Sequence, residues 1–172
     1  TIGEMRKVVE TEGGCIVWGG TVQLSPVDDI LISVEKALNV DSEGQMIASV
    51  LSKKAAAGST HVVIDIPVGE TAKVRSRESA LYLQQQMEDA GKAIGLNVKT
   101  IVTNGSQPVG KGIGPALEGI DVLEVLKNSA SASHALKERS LELAGSLLEL
   151  SGKWETGKGI AQATHVLESG QA

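Results

Sequence analysis

Phenylalanine is absent from the 172 residues, and the aromatic side chains reduce to Tyr82, Trp18 and Trp154. Base-stacking platforms for single-stranded nucleic acid need several aromatics on one surface, so that class is excluded. No long Lys/Arg run appears and the net charge is −5, which leaves no basic surface for a phosphate backbone. Any phosphate must therefore be held by a few local donors. Cysteine is represented by Cys15 alone, so no internal disulfide forms and a cytoplasmic location is expected. No apolar run approaches the roughly 20 residues that span a bilayer, and no signal-peptide pattern opens the chain. His61, His134 and His165 lack metal-ligand spacing, so no metal site is expected.

With 41% apolar residues and almost no aromatics, the core must be built from Val, Ile, Leu and Ala. Such a composition suits helices packed on a sheet, and the length fits one domain or a large piece of one. Thr1-Ile2-Gly3-Glu4 precedes the first methionine, Met5, and residues 161–169 are still helix-like near the last residue, so the chain reads as an excerpt.

The pattern along the chain alternates helix and strand. Residues 2–11 are helical and stop at Gly13-Gly14, and Cys15-Ile16-Val17-Trp18 reads as a brief strand. Ser25-Pro26 with Asp28 and Asp29 signals a helix start, continued by Ile30, Leu31, Val34 and Leu38. Asp41 and Ser42 begin another helix, which runs to Gly58. His61 to Ile66 is the clearest buried strand, bounded by Pro67 and Gly69. A long amphipathic helix over 77–94 ends at Gly95, and Asn97 to Val102 is the next strand. A glycine-rich stretch leads through Pro115 into a helix to about Lys127, and two more helical segments follow. Strand, long helix, strand is α/β logic, in which sites gather at the loops beyond the strand ends.

Three segments can carry chemistry. On the helix from Asp41, residues four apart lie nearly above one another, so Gln45, Ser49 and Lys53 form one polar stripe with Asp41 at its N-terminal end. A hydroxyl beside an ammonium can satisfy both the acceptors and the donors on a base edge. Periodicity alone favours a solvated helix face with Asp41 as its N-cap. The second segment, Asp65 to Lys73, leaves the buried strand, and Lys73 can project toward an anion or simply lie in water. The third, Asn104 to Pro115, opens a helix whose N-terminus favours an anion, although it is neither a P-loop nor a dinucleotide fingerprint. Packing explains its glycines equally well.

Five ordered motifs carry a resemblance. Gly14-Cys15-Ile16-Val17-Trp18-Gly19, Leu24-Ser25-Pro26-Val27-Asp28, Ala48-Ser49-Val50-Leu51-Ser52-Lys53-Lys54, Val63-Ile64-Asp65-Ile66-Pro67-Val68-Gly69 and Gln107-Pro108-Val109-Gly110 resemble the thymidine phosphorylase family in order and spacing. The likeness is strongest to the subgroup of AMP phosphorylases and type 2 thymidine phosphorylases. It implies phosphorolysis, in which inorganic phosphate attacks the sugar C1 as the base departs, with phosphate a co-substrate and no cofactor. The substrate implied is thymidine or a related pyrimidine nucleoside, or in the alternative a nucleoside 5′-monophosphate such as AMP. A scaffold domain that kept the fold and lost the chemistry is the reading of another class.

By resemblance, Ser49 and Lys53 hold the base, Asp41 matches the proton donor of the AMP-phosphorylase subgroup, and Lys73 matches a nucleotide-contacting position. The fold implied is α/β, a mixed sheet flanked by helices. Residues 1–27 would begin the α/β domain, residues 28–56 would belong to a separate α lobe, and residues 57–172 would continue the α/β domain, stopping before a C-terminal lobe. A homodimer through the helical lobe is implied for the full-length enzyme. The sequence departs from the family at the base-binding Arg-Asp pair, where Val34-Glu35-Lys36 stands instead. The family's phosphate-binding segment lies upstream of this chain, so the 172-residue piece alone is expected to be inactive.

Overall fold

The computed structural model describes residues 1–15, 26–38 and 42–172, apart from the side chains of Pro26, Asp29 and Lys36. Most of the strand expected at Cys15-Ile16-Val17-Trp18 lies outside the described residues, as does Asp41. The chain divides into two compact units, Thr1–Ser59 and Thr60–Ala172.

The first unit is helical where it is described. Helix α1 spans Ile2–Glu12. Thr1 caps it in a reciprocal box: its hydroxyl accepts from Glu4 N at 3.3 Å, and the Glu4 carboxylate accepts from the Thr1 amino group at 2.7 Å. Gly13 ends it at φ 77°, a left-handed conformation that favours glycine, and donates to Val9 O. Helix α2 covers Pro26–Leu38, with proline at the first helical position as expected. Helix α3 covers Glu43–Ala56; its cap is Ser42, whose hydroxyl accepts from Gln45 N at 3.4 Å. Lys53 and Lys54 occupy its last turn, where cations suit the helix dipole. Leu51 is the buried anchor of α3, and Met46, Ile47 and Val50 are half-buried beside it.

The second unit is α/β. Strand β1, His61–Val68, and strand β2, Asn97–Asn104, run parallel with His61 opposite Asn97 and Val68 opposite Asn104. The long helix expected between them is α4, Arg77–Ala93, which makes the β–α–β connection that parallel neighbours require. Ala80, Leu83 and Met87 share one face of α4 and pack the core with Val62 and Ile66 of β1 and with Leu96. Gly91 brings α4 against β2, because a Cβ there would collide with the Val98 side chain. Glu88 accepts from both the backbone N and the hydroxyl of Thr100, at 3.0 and 2.7 Å, and Gln84 donates to its carbonyl. The α/β class is therefore present, and both described strands are parallel.

Three helices complete this unit: α5 over Pro115–Leu126, α6 over His134–Leu150 and α7 over Gly159–Glu168. Helices α6 and α7 meet at glycines. A Cβ on Gly145 would lie 2.5 Å from Ile160 N and 2.7 Å from Ile160 Cα, and one on Gly159 would strike Gly145 O. Backbone atoms cannot step aside as a side-chain tip can, so Gly145→Ala is expected to destabilise the protein by about 1–3 kcal/mol. Thermal denaturation checks this; an unchanged midpoint would mean that the helices separate freely.

Candidate functional site

In the first unit, the stripe expected on α3 meets a residue of α2. Lys53 Nζ lies 3.4 Å from Ser49 Oγ, as their spacing of four dictates. Both side chains also converge on Asp28. Ser49 Oγ donates to Asp28 Oδ2 at 2.9 Å, and Lys53 Nζ pairs with the same oxygen at 2.6 Å. Asp28 is 4% exposed and Lys53 37% exposed, so the carboxylate is enclosed while the ammonium reaches the surface. The Lys53 hydrogen bond holds the Asp28 carboxyl below the usual carboxylate range; burial opposes this and the Ser49 bond adds to it. Asp28 Oδ1 is buried and accepts no hydrogen bond from the described residues.

The sequence marked Asp28 only as a helix-start acid. A partner 21 residues away on another helix leaves no periodic trace. The available hint was that Asp28 sits in one recognised motif and Ser49 and Lys53 in another.

In the second unit, the loops at the C-terminal ends of β1 and β2 touch. A Cβ on Gly69 would lie 2.5 Å from Gly105 O, and one on Gly105 would lie 2.8 Å from the Pro67 Cβ. Beside this contact is a cleft of about 290 Å³ lined by Asp65, Thr71, Asn104, Gln107 and Arg139 among others. Arg139 of α6 joins the strand ends, donating to Asp65 Oδ2 and Thr103 Oγ1 at 2.8 Å each and to Asn104 O at 3.1 Å. Thr103 Oγ1 in turn donates to Asp65 Oδ1 at 2.5 Å. Lys73 is exposed on the loop that follows β1. Ser49 and Lys53 are thus brought together in the first unit, whereas Lys73 belongs to the second.

The glycine-rich stretch uses its donors internally. Lys111 N and Gly112 N point at Asp121 Oδ2, 2.6 and 2.8 Å away, and Gly114 N donates to Glu118 Oε1 at 2.9 Å. The anion at this turn is the chain's own Asp121, nearly two helix turns into α5.

No protein-family model matches the chain. Curated relatives do. A protein of Hahella chejuensis named "Putative thymidine phosphorylase" is 58% identical over 172 residues, all of this chain and 34% of its own length. "Putative thymidine phosphorylase 1" of an Acidovorax species is 58% identical over 171 residues, 99% of this chain and 34% of its own. A Legionella pneumophila protein, also named "Putative thymidine phosphorylase", is 59% identical over 169 residues, 98% of this chain and 33% of its own. The chain belongs with these proteins, in the thymidine phosphorylase family. It spans about a third of the length of the relatives it matches.

For a member of the thymidine phosphorylase family, the glycine-rich turn is a structural element with its own pH dependence. The backbone N–H of Gly112, then that of Lys111, holds the Asp121 carboxyl below its ordinary range against the opposing effect of burial. A depressed folded value stabilises the protein above the unfolded carboxylate pKa of about 3.9, and that contribution disappears as pH falls through the lower folded value. Asp121→Asn is expected to speed amide exchange at Lys111 and Gly112 near neutral pH, and the difference from wild type should close as the pH falls through the depressed Asp121 value. A difference that stays constant from neutral pH through the acid titration of Asp121 would show that the charge is not what holds the turn.

Proposed function

We propose that the full-length protein is a nucleoside phosphorylase, cleaving the N-glycosidic bond of thymidine or a related pyrimidine nucleoside with inorganic phosphate. The products are the free base and the (deoxy)ribose 1-phosphate. The observation that carries this reading is the Ser49–Lys53 pair on α3, buttressed by Asp28 and reaching the surface at Lys53, in a chain nearly 60% identical to proteins named for this activity.

The chemistry suits the residues. In phosphorolysis a phosphate oxygen forms a bond to C1′ while the C1′–N bond breaks and its electrons stay on the base. Negative charge therefore develops on the base, where a cation such as Lys53 and a nearby acid lower the barrier. Asp41 is assigned as that acid, delivering the proton to the departing base. Phosphate is the only other reactant, with no cofactor, and its binding residues belong to parts of the protein beyond this chain. The full-length enzyme would be a cytoplasmic homodimer.

Lys73 favours a second reading, cleavage of a nucleoside 5′-monophosphate such as AMP to the base and ribose 1,5-bisphosphate. Its ammonium is exposed on the loop beyond β1, the sheet end at which α/β proteins meet anionic ligands. Base release from thymidine, uridine, AMP, CMP and UMP separates the two. Turnover of thymidine or uridine alone supports the first reading, turnover of the monophosphates alone the second, and none at all overturns both.

A further inference from the structure

The buried carboxylate of Asp28 determines what Ser49 and Lys53 can offer a ligand. A serine hydroxyl has one donor and two lone pairs, and an ammonium has three donors. Ser49 spends its donor on Asp28 Oδ2 and accepts from Lys53 Nζ at 3.4 Å, which leaves one lone pair. Lys53 spends two donors, on Asp28 Oδ2 and Ser49 Oγ, which leaves one. A carboxylate cannot donate, so the hydroxyl has no equivalent alternative orientation. Asp28 is itself fixed, enclosed to 4% exposure on α2.

We propose that Asp28 is the positioning residue of this site, fixing Ser49 as an acceptor and Lys53 as a donor toward a base edge that carries an N–H beside a ring nitrogen or carbonyl acceptor. This rests on the assignment of Ser49 and Lys53 as base-binding residues. Asp28 touches no reacting atom in this scheme. It acts by excluding the reverse arrangement, in which Ser49 would donate.

The consequence is discrimination between edges. N3-methylthymidine keeps both carbonyls of thymidine but lacks its N–H, and N6,N6-dimethyl-AMP lacks the exocyclic N–H of AMP. With the hydroxyl locked as an acceptor, each methylated compound leaves the remaining Ser49 lone pair without a donor. When Asp28 is removed, Ser49 can turn and donate to the neighbouring acceptor.

The test is steady-state kinetics of the full-length protein, wild type and Asp28→Ala, on the active member of each pair and its methylated analogue, with phosphate varied separately. Wild type is expected to favour the unmethylated substrate by about ten- to a hundredfold, and Asp28→Ala to narrow that ratio to about threefold or less. The nucleoside KM should rise at least about tenfold with the phosphate KM unchanged, a split that a general loss of structure would not produce. Should Asp28→Ala fail to fold, Asp28→Asn preserves the shape with a weaker, neutral acceptor, and the same narrowing is expected in smaller measure. An unchanged discrimination ratio in the folded variant would overturn the inference while leaving phosphorolysis intact. If wild type cleaves nothing, the proposed function fails, and calorimetric titration with thymine and adenine decides this inference separately. Binding to wild type that is lost in the folded variant upholds it. Equal binding, or none, overturns it.

Discussion

Lys53→Met is expected to cost about 3 kcal/mol of stability, the low end of the range for stranding one member of a buried ion pair. The Asp28 carboxylate, 4% exposed, would keep the Ser49 hydrogen bond and lose the cation that compensates its burial. The low end applies because Lys53 is 37% exposed, so water can follow the missing ammonium toward Asp28. Lys53→Met combined with Asp28→Leu removes both charges and is expected to recover most of the loss. Denaturant unfolding of the single and double variants measures this. A single-variant loss under about 1 kcal/mol would show that the pair is solvated in practice. If Lys53 holds the base as proposed, the same substitution would also remove a charge-assisted hydrogen bond to it, and kcat/KM of the full-length protein for the nucleoside should fall by about ten- to a hundredfold.

The second large effect is expected at Arg139. Its guanidinium makes three hydrogen bonds to the ends of β1 and β2, and its side chain is 17% exposed against 24% for Asp65. Arg139→Met leaves the Asp65 carboxylate with Thr103 alone and frees α6 from the strand ends, for an expected loss of about 3 kcal/mol. Arg139→Lys should recover little, because an ammonium cannot reproduce the planar fork that spans Asp65, Thr103 and Asn104. Thermal melts of the three proteins test this, and a lysine variant equal to wild type would show that charge alone suffices. Since the cleft beside Arg139 is lined by the same residues, amide exchange at Asn104 and Gly105 should rise in the methionine variant.

Local signals made most of the second unit legible. The apolar run from His61, the amphipathic pattern over 77–94 and the stop at Gly95 mark β1 and α4 without tertiary information. β1 nevertheless continues through Pro67 to Val68, beyond the expected end at Ile66. Proline ends strands that need its N–H, but β1 has one paired neighbour among the described residues, and an edge position tolerates it. β2 similarly extends to Asn104, opposite Val68, because the two parallel strands end together.

The candidate site was legible only in its local half. Helical periodicity placed Ser49 beside Lys53, and α3 keeps that geometry, while Asp41 lies outside the described residues. Capping chemistry on α3 goes to Ser42. Asp28, Arg139 and Asp121 escaped because their partners lie across elements, 21 and 74 residues away for Asp28 and Arg139, or are backbone groups with no side-chain identity. A carboxylate that will be enclosed looks the same in sequence as one that caps a helix. The glycine-rich stretch shows the converse: its N–H groups resemble an anion site, and Asp121, further along the same segment, occupies them.

Phosphorolysis and hydrolysis of the same bond release the same base, so the fate of phosphate decides between them. Phosphorus NMR of the full-length protein with nucleoside or nucleoside monophosphate and inorganic phosphate is the direct measurement. Loss of the inorganic phosphate signal is expected, matched by a sugar 1-phosphate signal and by free base, with no base released when phosphate is omitted. Base release that proceeds equally without phosphate, or no release from any substrate in the panel, would contradict it.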